Sequence, residues 1–129
     1  MFEKYQGNEV IFLVDDEPVV LSFARSILRH CGYRVVEFDN PVTALARLRT
    51  KPEIDLVLTD VMMPGMSGPD LVRQVKEEMP EVACLYMSGY DMNQISEQGL
   101  DAGCDYLRKP FTPEVLVKRV RAVLDEKAN

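Results

Sequence analysis

The sequence contains few of the residues from which metal centres and nucleophilic catalytic sites are usually built. It has no tryptophan, one histidine, His30, and three cysteines, Cys31, Cys84 and Cys104. A structural zinc site needs four histidine or cysteine ligands at close spacing, and no C-x-x-C pair is present. A Ser-His-Asp or Cys-His centre would depend on His30, which stands near the end of a predicted helix, where a cation is favoured. We therefore expect neither class of site and interpret the cysteines as small buried hydrophobic residues.

Long apolar segments and excess positive charge are also missing. The unbroken apolar runs, such as Val10 to Val14, are far shorter than the ~20 residues of a membrane-spanning helix. The first nine residues contain no apolar signal-peptide core. The formal net charge is −6, and an acidic domain is a poor binder of nucleic acid or anionic membranes. We expect a cytoplasmic protein that neither binds nucleic acid nor inserts into a membrane.

Five short apolar segments alternate with amphipathic segments, and the order strand then helix repeats five times. The first, third and fourth apolar segments have almost no polar positions, which is typical of strands covered on both faces. Proline or an N-cap residue marks the start of most of the amphipathic segments. The predicted strands are 10–14, 34–38, 56–59, 83–87 and 105–107, and the predicted helices are 18–31, 41–48, about 69–79, about 91–102 and 113 to about 126.

Parallel strands joined by right-handed helical crossovers place helices on both faces of one sheet. The sequence therefore predicts an α/β fold, a doubly wound five-stranded parallel sheet of the flavodoxin-like (βα)5 type with strand order 2-1-3-4-5. The 129 residues suit one domain with a core of about 10–126. Residues 1–9 and 127–129 are predicted to be frayed ends.

Polar side chains follow four of the predicted strands at the point where each strand ends. Asp15 and Asp16 follow the first strand, Asp60 the third, Ser88 the fourth and Lys109 the fifth. Ligands of this fold bind at the carboxyl ends of the strands, and the first and third strands are neighbours in the predicted order. Three converging carboxylates repel each other, and Mg²⁺ is a hard cation that relieves this repulsion. With a lysine and a hydroxyl beside them, the carboxylates suit a phosphoryl group, and one of them suits an aspartyl phosphate.

Each of these residues has a simpler explanation when it is taken alone. Asp15 or Asp16 could cap the first helix, Asp60 and Ser88 could belong to turns, and Lys109 could be a surface lysine. Capping and turn formation do not require all of them to stand at the ends of separate strands on one side of the sheet. Their conjunction therefore favours a common site.

The chain resembles the receiver domain of two-component response regulators over about residues 10–125. The motifs that carry the resemblance are L-V-D-D-E-P at 13–18, D-L-V-L-T-D-V-M-M-P-G-M-S-G at 55–68, M-S-G-Y at 87–90 and Y-L-R-K-P-F at 106–111. The last two look most like the receivers of hybrid sensor histidine kinases. The resemblance implies a signalling module that accepts a phosphoryl group from a phosphohistidine and then switches its surface or relays the group, rather than a turnover enzyme.

The resemblance also implies roles for individual residues. Asp60 would be the phosphoacceptor, and Ser88 and Lys109 would contact the phosphoryl oxygens. The peptide bond that precedes Pro110 is expected to be cis, as in the family. Mg²⁺ would be held by Asp15, Asp16, Asp60 and the backbone carbonyl of Met62.

Three more residues follow from the family pattern. Tyr106 would be the aromatic residue that switches together with Ser88. Met62 and Tyr90, which lie two residues beyond Asp60 and Ser88, would flank the approach of water. Because neither can act as a general base at neutral pH, we expect slow loss of the phosphoryl group. The chain departs from the family at 103–106, which is one residue short, and in a fourth helix that contains weak helix formers such as Gly99.

The implied partners are a histidine kinase or a histidine phosphotransfer domain, and a second copy of the chain through the face of the fourth helix, fifth strand and fifth helix. We expect a single-domain regulator or the receiver of a larger sensor kinase, because the chain ends after the fifth predicted helix. A Mg²⁺-dependent phosphatase with an aspartyl nucleophile is disfavoured, since Met62 stands where such enzymes carry a second carboxylate. A flavin or nucleotide carrier would need a glycine-rich phosphate loop after the first strand. A binding module that is independent of phosphorylation remains an alternative, disfavoured by the complete set of pocket residues.

Overall fold

The computed structural model describes residues 2–89 and 105–128. The fourth predicted helix, at about 91–102, lies outside these residues, as do Tyr90 and Cys104. No helix within the described part of the chain is long and apolar enough to cross a membrane. The strands are β1 (Val10–Val14), β2 (Arg34–Phe38), β3 (Leu56–Asp60), β4 (Ala83–Ser88) and β5 (Tyr106–Arg108), and the helices are a short 3-10 helix (Glu3–Tyr5), α1 (Pro18–His30), α2 (Pro41–Leu48), α3 (Gly68–Glu78) and the C-terminal helix (Pro113–Ala128).

All five strands are parallel, and their order is β2-β1-β3-β4-β5. The predicted fold and strand order are therefore confirmed. The register aligns the carboxyl ends of the strands: Val14 lies opposite Thr59, Asp60 opposite Met87, and Ser88 opposite Arg108. The residues that end β1, β3, β4 and β5 consequently share one edge of the sheet.

The sheet is covered on both faces, which explains the continuous apolar character of β1 and β3. In β1, Ile11 and Leu13 belong to the core formed with α1 and the C-terminal helix. Val10, Phe12 and Val14 belong to the core formed with α2 and α3. Because the side chains of a strand alternate between the two faces, every position of a doubly covered strand is buried.

Polar side chains define where the helices begin. Asn40 accepts a hydrogen bond from the Thr43 amide (2.9 Å), and Thr112 Oγ1 accepts one from the Val115 amide (3.2 Å). These N-caps confirm the predicted starts of α2 and the C-terminal helix. Ser67 Oγ accepts from the amide three residues later (3.2 Å) and caps α3, which starts at Gly68, slightly before its predicted start.

The prediction that the chain ends are frayed is wrong for residues 2–9 and 127–128. The N-terminal segment packs against the C-terminal helix because Arg121 forms an ion pair with Glu9 and donates to the Gln6 carbonyl (3.2 Å). The hydroxyl of the buried residue Tyr33 donates to the Tyr5 carbonyl (2.9 Å). Phe2 and Tyr5 also pack against the core, and at the other end the last helix runs to Ala128.

Candidate functional site

Three carboxylates meet at the carboxyl edge of the sheet. Asp15 directly follows β1 and is completely buried, Asp60 is the buried last residue of β3, and Asp16 is exposed. One oxygen atom of each carboxylate lies within 4.8 Å of the others. The structure therefore brings together the three aspartates that the sequence predicts to converge.

Lys109, the residue after β5, brings its ammonium group to the same place. Its Nζ lies 2.8 Å from Asp15 Oδ2, 3.0 Å from Glu17 Oε1 and 3.3 Å from Asp60 Oδ2. Only 15% of the lysine side chain is exposed. A lysine ammonium has three N–H donors, and here three carboxylates surround it. Lys109 is therefore a member of the pocket and not a solvated surface lysine.

Burial and mutual repulsion shift the pKa values of the pocket groups. Burial, followed by the negative charge of Asp15, raises the pKa of Asp60 from 3.8 to about 6, although Lys109 opposes the shift. Burial also raises the pKa of Asp15 in spite of its hydrogen bond from Lys109. Burial alone would lower the pKa of Lys109, but its bonds to Asp15 and Glu17 raise the pKa above the usual lysine value. The lysine is thus fully protonated, and Asp60 has an unusually high proton affinity for an aspartate.

The backbone around the pocket holds these side chains in place. Asp15 Oδ1 accepts a hydrogen bond from the Glu17 amide (2.9 Å), so Asp15 also organises the turn that leads into α1. The Lys109 amide donates to the Ser88 carbonyl (2.7 Å). The peptide bond between Lys109 and Pro110 is cis, as the family resemblance predicted.

Gly68, the first residue of α3, lies against the backbone of the pocket. Its amide donates to the Val61 carbonyl (2.8 Å), and a Cβ atom at this position would overlap the carbonyl oxygen of Asp60. Glycine is the residue that allows so close an approach between two backbone segments. The start of α3 is therefore packed directly onto the end of β3.

The remaining predicted site residues surround this centre. Ser88 is buried at the end of β4, and Tyr106 is half-buried on β5, opposite Tyr86 of β4. Met62, two residues after Asp60, is 44% exposed. Tyr90 lies outside the described residues. The structure thus places Ser88 at the carboxyl edge of the sheet and Met62 two residues beyond Asp60, whereas Tyr106 is the first residue of β5.

The donor set fits a hard divalent cation. Carboxylate oxygens are the ligands that Mg²⁺ takes from proteins, and it commonly keeps several water molecules as well. The exposed carboxylate of Asp16 gives access from solvent, whereas both oxygens of Asp15 already accept hydrogen bonds. The cluster therefore offers Mg²⁺ a partly open site and not a closed cage.

Comparison with protein families gives one decisive match. The model of the response regulator receiver domain matches residues 11–121. The chain belongs to this family. Receiver domains are phosphoacceptor modules of two-component signalling, and they generally bind Mg²⁺ at an acidic pocket and interact with histidine kinases or phosphotransfer domains.

Relatives of known name include both regulators and a kinase. The chain is 37% identical over 122 residues to the transcriptional regulatory protein ResD of Bacillus subtilis, a match that covers 92% of this chain and 50% of ResD. It is 32% identical over 122 residues to the sensor kinase CckA of Brucella abortus, covering 93% of this chain and 13% of the kinase. The chain thus spans half or less of the length of these two relatives.

Solved structures show the same fold over nearly the whole chain. A response regulator receiver domain protein from Methanospirillum hungatei superposes with a TM-score of 0.83 and 28% sequence identity. The superposition covers 95% of this chain and 98% of the archaeal one. The two proteins therefore share the receiver fold over most of their length.

Sequence reasoning did not assign two features of this receiver domain. Glu17 was part of the D-D-E motif but had no role, and the structure pairs it with Lys109. An apolar face also lies beside the pocket, where the rings of Phe23 on α1 and Phe111 are 5.9 Å apart and Val19 is 80% exposed. The signal for this face was the apolar residues at 19 and 23, which do not fit the buried stripe of α1.

Proposed function

We propose that Asp60 is the residue of this receiver domain that accepts the phosphoryl group from a phosphohistidine. A carboxylate oxygen of Asp60 attacks the phosphorus atom, and the phosphorus–nitrogen bond breaks. The imidazole of the donor carries a proton on its other ring nitrogen and leaves as neutral imidazole. The observation that carries the proposal is the convergence of Asp15, Asp16, Asp60 and Lys109 on one pocket at the carboxyl edge. Asp60 is the last residue of the buried strand β3 and lies at the centre of this pocket, with Lys109 as its positive neighbour and Asp15 as its negative neighbour.

Asp15, Asp16, Asp60 and the backbone carbonyl of Met62 would hold Mg²⁺. The single ammonium of Lys109 is shared with Glu17 and cannot balance the three aspartates, and a divalent cation would offset the remaining negative charge. When bound, Mg²⁺ supplies the charge neutralisation and orientation that phosphoryl transfer mainly requires. The residues of the chain do the rest: Asp60 presents the nucleophilic oxygen, and Lys109 donates to a phosphoryl oxygen.

Ser88 and Tyr106 would transmit the change. The hydroxyl of Ser88 would move toward the new phosphoryl oxygens as a charge-assisted hydrogen bond donor. Tyr106 lies on the neighbouring strand β5, two residues before Arg108, which pairs with Ser88. A rotation of the Tyr106 ring toward β4 would then alter the outer surface of β5.

The donor would be a histidine kinase or a histidine phosphotransfer domain that docks beside the pocket. The apolar face formed by Val19, Phe23 and Phe111 supports this docking, because it adjoins Lys109, which pairs with the proposed acceptor. A second copy of the chain could bind through β5 and the C-terminal helix, together with the predicted fourth helix, which lies outside the described residues.

Residues 1–129 would form one receiver domain, with a core of about 10–126, that acts in the cytoplasm. The similarity to CckA supports a place in a hybrid sensor kinase, and the similarity to ResD supports a place in a response regulator. Both contexts use the same chemistry at Asp60.

Intact-mass spectrometry after incubation with acetyl phosphate and Mg²⁺ tests the proposal. The wild type should gain the mass of one phosphoryl group, and Asp60→Asn should gain none. Asp39→Asn is the matched control, because Asp39 is an exposed aspartate that follows the edge strand β2 outside the pocket, and it should gain the same mass as the wild type. Phosphorylation of Asp60→Asn at the wild-type rate would show that the acceptor is another residue.

A further inference from the structure

Glu17 is bound to Lys109 instead of capping its own helix. It occupies the N-cap position of α1, yet its side chain makes no hydrogen bond to the amides of the first turn. Its carboxylate Oε1 instead accepts from Lys109 Nζ at 3.0 Å. The Glu17 amide is fixed by Asp15 Oδ1, so the side chain is anchored at its base and free to turn at its end.

The three carboxylates around Lys109 differ in how easily they can release it. Asp15 is completely buried and would be left without a compensating charge if it lost the lysine, whereas the Glu17 side chain is 59% exposed. A released Glu17 carboxylate passes directly into water at little cost, while an unpaired buried carboxylate is strongly unfavourable. Among these carboxylates, Glu17 is the partner that Lys109 can exchange for another anion.

A phosphoryl group on Asp60 would create the demand for such an exchange. Asp60 Oδ2 lies 3.3 Å from Lys109 Nζ, so phosphoryl oxygens attached to this carboxylate would lie beside the same ammonium. They would compete with Glu17 for a donor and would also repel its negative charge. Both effects act against the bond between Glu17 and Lys109.

We propose that Glu17 is a positioning residue, which holds Lys109 in the unphosphorylated protein and is displaced when the phosphoryl group arrives. The proposal rests on the assignment of Asp60 as phosphoacceptor. Its consequence reaches the apolar face of Val19, Phe23 and Phe111, because Glu17 and Lys109 border that face. Before transfer, Lys109, which Glu17 shares with Asp15 and Asp60, partly offsets the charge of Glu17. After transfer, an uncompensated carboxylate stands at the edge of the docking face and weakens the hold on an apolar partner.

The contact itself can be tested without metal or phosphodonor. Proton–nitrogen NMR of lysine ammonium groups detects those whose protons exchange slowly because they are held by hydrogen bonds, and Lys109→Arg assigns the signal of Lys109. We expect this signal to broaden or shift in Glu17→Gln. It should stay unchanged in Glu77→Gln, which removes an exposed glutamate from α3. An unchanged Lys109 signal in Glu17→Gln would overturn the proposal.

The exchange is tested by titrating beryllofluoride, a phosphoryl mimic, at saturating Mg²⁺. Glu17→Gln should bind it about two- to fivefold more tightly than the wild type, the size expected when an exposed ion pair no longer competes. Glu77→Gln should bind it like the wild type. If the wild type binds beryllofluoride and Glu17→Gln binds it no more tightly, the proposed exchange is wrong and the proposed function stands. A wild type that binds no beryllofluoride, or an Asp60→Asn variant that binds it equally well, overturns the proposed function and the exchange with it.

Discussion

Lys109 and Asp60 form an ion pair with 3.3 Å between Nζ and Oδ2, and yet Asp60 keeps a raised pKa of about 6. The lysine is shared with Asp15, whose Oδ2 lies closer to Nζ, at 2.8 Å. One ammonium therefore does not compensate the burial of two carboxylates. In the metal-free protein, burial and the negative charge of Asp15 therefore disfavour the ionised form of Asp60, and this makes the contribution of Asp60 to stability depend on pH.

Replacing the acceptor aspartate should stabilise the metal-free protein at neutral pH. The pKa of Asp60 is higher in the folded state (about 6) than its ordinary value of 3.8. The contribution of Asp60 therefore favours folding fully below pH 3.8. That contribution is lost as the pH rises through about 6. Asp60→Asn should therefore exceed the wild type in free energy of unfolding by about 1 to 3 kcal/mol at pH 7, and the difference should vanish near pH 4.

Urea denaturation in EDTA at the two pH values measures this difference. Asp15 titrates in both proteins, so its contribution largely cancels in the comparison. The exposed variant Asp39→Asn provides the control and should follow the wild type at both pH values. A difference between Asp60→Asn and the wild type that does not grow between pH 4 and pH 7 would contradict the crowding of charges in the pocket.

Magnesium should stabilise the folded protein through the aspartate cluster. A ligand that binds only the folded state adds RT ln(1 + [L]/Kd), or about 1.4 kcal/mol at ten times Kd. Thermal denaturation with increasing Mg²⁺ should show this gain in the wild type and a much smaller one in Asp16→Ala. Asp39→Ala should retain the full gain. If the melting temperature of the wild type does not change when Mg²⁺ is added, the cluster binds no metal.

Met62 should lengthen the life of the aspartyl phosphate. Its side chain is 44% exposed beside the acceptor, and a thioether neither orients water nor accepts a proton from it. Met62→Asn should therefore accelerate the loss of phosphate several-fold, measured by intact mass after removal of the phosphodonor in excess Mg²⁺. Met62→Leu, which keeps an apolar side chain of similar size, should leave the rate unchanged. Equal rates in all three proteins would mean that this side chain does not control water.

The same reasoning applies to Tyr90, which lies outside the described residues. Tyr90→Ala should open the approach of water and also accelerate the loss of phosphate. Phe2→Ala, at the N-terminal segment, is a control for the removal of an aromatic side chain elsewhere.

Binding of beryllofluoride should reach beyond the pocket to β5. If Ser88 and Tyr106 switch together, amide NMR shifts of the wild type should change at Tyr106 and Arg108 as well as at Asp60. In Ser88→Ala the changes at the pocket should persist, whereas those at β5 should be reduced, because the hydroxyl that moves toward the phosphoryl group is absent. Shift changes confined to the pocket of the wild type would contradict a switch through Tyr106.

Arg121 should stabilise the N-terminal segment in a pH-dependent way. Its hydrogen bond to Glu9 lowers the pKa of that glutamate below the usual 4.5, and it also donates to the Gln6 carbonyl (3.2 Å) and the Tyr33 hydroxyl (3.2 Å). Arg121→Ala should therefore cost about 1 to 2 kcal/mol at pH 7. Folding lowers the pKa of Glu9. The part of the stabilisation by Arg121 that comes from Glu9 is therefore present above pH 4.5 and is lost as the pH falls through the lowered pKa.

Arg73→Ala is the control for this loss, because Arg73 forms an exposed ion pair with Asp70 within α3. Such pairs contribute little, so urea denaturation should show a change below about 0.5 kcal/mol. A cost for Arg121→Ala no larger than that for Arg73→Ala would show that the N-terminal segment is not held by this residue.

The sheet and the pocket could be predicted because both depend on local patterns. Continuous apolar segments marked β1, β3 and β4, and Asn40 and Thr112 marked the starts of two helices. Once the strand order was inferred, the polar residues at the strand ends had to share one edge. The fifth strand is displaced by one residue, since it spans Tyr106–Arg108 instead of the predicted 105–107.

The contacts of Glu17 and Arg121 could not be predicted in the same way. Both are charged side chains, and the sequence does not show where a long charged side chain ends in space. Glu17 meets a lysine 92 residues later, and Arg121 meets a glutamate 112 residues earlier. The N-terminal segment has no apolar periodicity either, and its packing depends on distant partners: the polar contacts of Arg121 and the core against which Phe2 and Tyr5 lie.

Gly68 has a consequence for how this domain tolerates mutation. Its contact with the carbonyl of Asp60 belongs to the packing of α3 and also sets the position of the acceptor. A population of variants selected only for folding would be free to drift at Asp16, which is exposed and has no role in the core. The same population would keep glycine at position 68, because any side chain there would push α3 away from β3. Retention of this glycine in a variant that has lost its aspartates would therefore reflect the packing of α3 on β3 and would not indicate that phosphorylation persists.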